Sequence, residues 1–141
     1  MLNKKSGRFT EQPLSIRRDL NNKSNWILNE KVIFIFTNAK TDNTFAITVP
    51  EEFSTDFAST PKILWGLFPP MDADYAKSAA IHDWLYYRQE VTRRFADELF
   101  LIALKSQGVR FFKRQLMHRA VRMFGKKPWQ AHTKRKEEQC R

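Results

Sequence analysis

Val32-Ile33-Phe34-Ile35-Phe36-Thr37, then Asn38 to Asn43, then Thr44-Phe45-Ala46-Ile47-Thr48-Val49, is the stretch that decides the fold. Two β-branched and aromatic runs, the second alternating, flank a turn-forming segment and end at Pro50, which predicts a β-hairpin. The punctuation downstream is helical. Ser59 or Thr60 ahead of Pro61 supplies an N-cap with proline in the first turn, predicting a short helix over about 61–67 that Gly66, Pro69 and Pro70 end. Asp72 or Asp74 then caps a longer helix to about Arg88. Thr92 caps a third over about 93–106, stopping at Gly108, and a fourth runs over about 110–124 to Gly125. A small N-terminal β-hairpin packed on a mainly helical bundle of three to four helices is an α+β fold.

Outward from this region the patterning fades. Residues 1–25 are polar and basic without a sustained period and read as a flexible arm. The globular domain spans 26–125, and residues 126–141 read as a flexible basic tail. The 141 residues, 16.8 kDa in all, make one ordinary domain, and 42% hydrophobic residues exclude intrinsic disorder. No apolar run is long enough for a transmembrane segment, and the basic start Met1 to Arg8 lacks the apolar stretch of a secretory signal. One cysteine, Cys140, rules out an internal disulfide or a cysteine zinc cluster and suits a reducing cytosol.

The net charge is +10, pointing to nucleic acid, anionic lipid or another acidic partner. It is unevenly spread. Residues 42–83 hold seven acids (Asp42, Glu51, Glu52, Asp56, Asp72, Asp74, Asp83) against two bases, an acidic island fit to bind something positive. The fourth helix instead interleaves Arg110, Lys113, Arg114, Arg119 and Arg122 with apolar residues, as an amphipathic helix with a cationic face does.

Chemistry concentrates on the second and third helices. His82 and Tyr86 stand one turn apart on one face with Tyr75, Ala79 and Leu85, so His82 looks inward. Asp83 is rotated away by roughly 100°, alongside the small residues Ala76, Ala79 and Ala80. Asp97 is followed at three, four and seven residues by Phe100, Leu101 and Leu104. A carboxylate on such an apolar stripe needs a partner. Antiparallel packing across the short 88–92 connection brings Asp97 to one imidazole nitrogen of His82 and leaves the other facing a cavity; Arg93 or Arg94 is the competing partner. A histidine so held takes a proton from water, as a hydrolase dyad does. Asp83, with Asp56 as a further ligand, offers hard oxygens to calcium.

His82-Asp83-Trp84-Leu85-Tyr86, preceded by Ala79, resembles the His-Asp-x-x-Tyr helix of phospholipase A2, especially its compact parvoviral form. Phe95-Ala96-Asp97-Glu98-Leu99-Phe100-Leu101 resembles the later helix of that family that carries the partner aspartate. The resemblance implies that His82 is the base, Asp83 a calcium ligand, Asp97 the orienting residue and Tyr86 its support. Where that family has a Tyr-x-Gly-x-Gly calcium loop, Trp65-Gly66-Leu67-Phe68 offers a single glycine.

A second resemblance covers about residues 26–129. Val49-Pro50-Glu51-Glu52-Phe53-Ser54-Thr55-Asp56-Phe57-Ala58-Ser59-Thr60-Pro61, then His82 to Tyr86, Arg94 to Asp97 and Arg119 to Gly125, are similar to the signature of domain of unknown function 1353. That family occurs in tailed bacteriophages and prophages and implies a phage origin without an activity. Asp56 and Ser59 stand in its Thr-Asp-Phe-Ala-Ser block. The expectation is a phage-encoded hydrolase with a His82–Asp97 dyad acting on an ester, phospholipid foremost, with calcium as the candidate ion. A cell-wall hydrolase shares these residues. The alternative of another class is a non-enzymatic virion or assembly protein that holds DNA, an acidic partner or other virion proteins through its basic segments. Either belongs in the host bacterial cytoplasm or the virion.

Overall fold

The structure, a computed structural model, describes residues 5–55 and 75–141. Within them an α+β fold sets two three-stranded antiparallel sheets ahead of four helices. The predicted hairpin is β4 (Val32–Asn38) against β5 (Asn43–Val49), in the register Val32 to Val49, Phe34 to Ile47 and Phe36 to Phe45. Alternation along a strand sends Val32, Phe34, Phe36, Ile47 and Val49 to one face, where all five are buried. That face packs on the helices: Phe36 meets Phe95 edge-on, with ring centroids 5.8 Å apart.

The hairpin is not alone. β1 (Lys5–Phe9) pairs antiparallel with the other edge of β4, while β2 (Ile16–Arg18), β3 (Trp26–Leu28) and the short β6 (Ser54–Thr55) form the second sheet. The arm expected to lack regular structure over 1–25 therefore contributes two strands. β4 offers an unpaired edge that needs a ladder, and Lys5 pins β1 to the helices by an ion pair with Glu98 at 2.7 Å. Gly7 has a packing reason: the Phe34 ring fills the space where its Cβ would stand.

The helices are α1 (Ala76–Arg88), α2 (Arg93–Ser106), α3 (Phe111–Phe124) and α4 (Lys126–Gln139). The α2 start follows the predicted cap, with Thr92 Oγ1 accepting from the Phe95 amide at 3.2 Å. Its end follows too: Gly108 has φ +80, the left-handed conformation a closing glycine supplies, and the Val109 amide turns back to Leu104 O at 3.1 Å. Before α1 lies Tyr75, which gives no side-chain cap. The helix expected over 61–67 and the caps Asp72 and Asp74 lie outside the described residues, as do Asp56 and Ser59.

α4 corrects the flexible tail expected over 126–141. No residue of it is fully buried, so hydrophobic periodicity could not reveal it. Polar contacts with the end of α1 hold it instead. Arg135 donates to Tyr87 O and Lys136 to Arg88 O, each at 2.8 Å, and Gln89 donates to Trp129 O at 2.8 Å. The last carbonyls of a helix have no intrahelical donor and attract cations, so the basic run of α4 finishes α1. The Trp129 ring meets Tyr86 edge-on at 5.1 Å.

Candidate functional site

α1 is enclosed by its neighbours because its sequence lets them come close. Ala76, Ser78, Ala79 and Ala80 are all buried, and small side chains permit short interhelical distances. His82 and Tyr86, one turn apart, both face α2, where Asp97 occupies the buried side next to Phe100. His82 and Asp97 are each 0% exposed. The imidazole lies between the Phe100 ring, stacked at 4.6 Å, and the Tyr86 ring at 4.3 Å.

Asp97 is the hub. Its Oδ1 lies 2.7 Å from His82 Nε2 and accepts the Tyr86 hydroxyl at 2.7 Å. Its Oδ2 accepts Arg122 Nη1 from α3 at 2.6 Å and Arg93 Nη1 at 3.4 Å. Burial alone pushes this carboxyl up, but the hydrogen bonds from His82, Tyr86 and Arg122, with the His82 charge, outweigh it and hold Asp97 below the ordinary carboxylate range. It is therefore an anion at neutral pH. Burial, then the hydrogen bond to Asp97 and its charge, push the Tyr86 phenol well up, so it stays a donor. His118 is pushed down by burial, with the Asp97 charge opposing.

An ionised carboxylate only accepts, so the His82 proton shared with it sits on Nε2. In the neutral form of the ring the lone pair is then on Nδ1. That atom is buried and has no hydrogen-bond partner among the described residues. Among the clefts that described residues line, one runs between Gln12, Glu30, Lys31 and Glu51 and another along Phe45, Trp84 and Val91.

The histidine, the tyrosine and the acid singled out in the sequence thus come together. Asp83 points elsewhere. It is 7% exposed, and its Oδ2 accepts the hydroxyl of Thr55 on β6. Among the described residues no group of three or more His, Cys, Asp or Glu side chains is placed to hold a metal ion. None of their helices is long and apolar enough to cross a membrane.

Sequence reasoning missed the inward role of Arg122, which it placed on the cationic face of an amphipathic helix, and the use of Gly125. That glycine has φ −76, so it is not needed for a left-handed turn. A Cβ there would collide with the Tyr86 hydroxyl and Val121 O and lie 3.2 Å from Arg93 Nη1. Only a residue without a side chain lets the α3–α4 junction close over the cluster.

The family described as protein of unknown function (DUF1353) matches residues 29–121. The chain belongs to the DUF1353 family. The matched span of this DUF1353 protein contains His82, Tyr86 and Asp97, while Arg122, Gly125 and Trp129 follow it. No curated protein and no solved structure matches the chain.

Proposed function

We propose that this DUF1353 protein is a phage-encoded hydrolase that cleaves an ester, phospholipid foremost, with His82 as general base. The observation that carries the reading is the two-sided state of the ring: Nε2 is held by an ionised Asp97, and the buried Nδ1 has no partner among the described residues. The same helices resemble those of phospholipase A2 in their His-Asp-x-x-Tyr run and partner aspartate.

In this scheme Nδ1 removes a proton from water as the water oxygen bonds to the ester carbonyl carbon. The imidazolium formed is stabilised by Asp97, which Tyr86 and Arg122 keep from taking the proton itself. When the tetrahedral adduct collapses and the carbon–oxygen bond to the leaving alcohol breaks, Nδ1–H returns its proton to that alcohol. Calcium is an addition to the scheme. Asp83 and Asp56 are the carboxylates proposed for it, and a calcium ion takes roughly 6–8 oxygen ligands, so they would be part of a larger set.

Purified protein mixed with phospholipid vesicles, with and without calcium, should release fatty acid, and His82→Ala and Asp97→Leu should abolish the release while the fold persists. Full turnover in His82→Ala ends the proposal. The second reading, a non-enzymatic phage component, draws on the complete burial of the ring: the cluster would then serve to lock α1, α2 and α3 together. It expects no ester cleavage at all and salt-sensitive binding of DNA or an acidic partner.

A further inference from the structure

α3 is buried on one side by Met117, Ala120 and Val121. Its other side is apolar as well. At 3.6 residues per turn, Phe112, Leu116, Arg119 and Met123 fall within about 60° of arc. Phe112 is 85%, Met123 73% and Leu116 48% exposed. Contiguous exposed apolar surface of this kind marks an interaction site.

The charges around it select the occupant. Between Glu98 and Glu137 the chain has eleven Lys and Arg residues and no Asp or Glu. Arg110 precedes the patch, Arg119 stands within it, and Lys126 and Lys127 follow it, all exposed. A second copy of the chain would set this acid-free stretch against itself. A nucleic acid would answer the cations but leave Phe112, Leu116 and Met123 in water. A bilayer with anionic headgroups meets both needs, since apolar side chains enter the acyl boundary while flanking cations sit at headgroup level.

We propose that this outward face of α3 docks the protein on an anionic lipid bilayer. The inference goes beyond hydrolysis and holds equally for a protein with no catalytic activity. Burying Phe112 and Met123 contributes a factor of at least about ten each to partitioning, and each cation near the surface about five-fold.

The test is co-flotation of the full chain with vesicles of phosphatidylcholine alone or mixed with phosphatidylglycerol, at low salt. The mixed vesicles should bind at least about ten-fold better, and Phe112→Ser with Met123→Ser should lose at least about a hundred-fold of that binding with an unchanged circular dichroism spectrum. Arg119→Glu should weaken it without altering the fold, and His82→Ala should bind as the unaltered chain does, which separates this outcome from the fate of the hydrolase reading. Vesicle binding unaffected by the double substitution overturns the proposal. So does an absence of vesicle binding, whether or not the chain self-associates or binds duplex DNA instead.

Discussion

Replacing Asp97 by asparagine tests the hub with the least change of shape. The amide keeps one carbonyl oxygen but offers N–H groups where the second carboxylate oxygen stood. It therefore has a choice of sides. Turning its nitrogen toward His82 and Tyr86 would leave two buried donors facing a donor, at about 1–3 kcal/mol each. Turning it toward the arginines costs less, because the Arg122 side chain is 34% exposed and can retreat to water. The second arrangement wins. It still forfeits a charge-assisted bond at 2.6 Å, about 1.5–3 kcal/mol, and weakens the two remaining bonds, which now go to a neutral oxygen. A loss of about 3 kcal/mol follows, at the lower end of what breaking a buried pair costs, with a fall in Tm of about 10 °C.

The pH dependence has a definite sign. The folded carboxyl is held below its ordinary value, so its contribution is complete above the unfolded value of about 4 and is lost as pH falls through the folded one. Urea unfolding of the two proteins at pH 7 should therefore give the full difference, and the curves should converge in strong acid. A difference under about 1 kcal/mol at pH 7, or one that acid leaves untouched, refutes the account of Asp97 as an ionised hub.

Two further outcomes are expected. Gly125→Ala should destabilise the fold by about 1–3 kcal/mol through overpacking, measured by urea unfolding, because the added methyl meets the Tyr86 hydroxyl and Val121 O; a neutral effect would show that the α3–α4 junction closes more loosely. Trp129→Ala, which removes the ring edge-on to Tyr86, should cost about 2–4 kcal/mol and raise proteolysis within α4, and protection equal to the parent's would detach α4 from the core.

The hairpin and the α2 boundaries were legible because their signals are local: alternation along Thr44 to Val49, a threonine ahead of a helix, a glycine after it. The approach of Asp97 to His82 was legible for a different reason. A carboxylate on an apolar stripe has to find donors, and the inward histidine one short connection earlier was in reach. Arg122 was not legible, since a helix with five cations gives no sign of which one turns back into the molecule. β1 and α4 were hidden because partners, not their own patterns, fix them. Ser6-Gly7-Arg8 says little until β4 lends an edge, and the Lys and Arg residues of α4 act on carbonyl groups at the end of α1. The Asp56 and Ser59 expectations lie outside the described residues.

The order in which the chain is made gives the hub a timetable. Synthesis delivers His82, Tyr86, Arg93 and Asp97 first, and among the described residues made by then the carboxylate has two donors on one oxygen and Arg93 at 3.4 Å on the other. Arg122 and the gap at Gly125 come from the ribosome later, and Trp129 later still. A stop codon at position 122 would thus yield the whole matched family segment without Arg122, leaving Asp97 Oδ2 to the longer contact with Arg93 among the described residues.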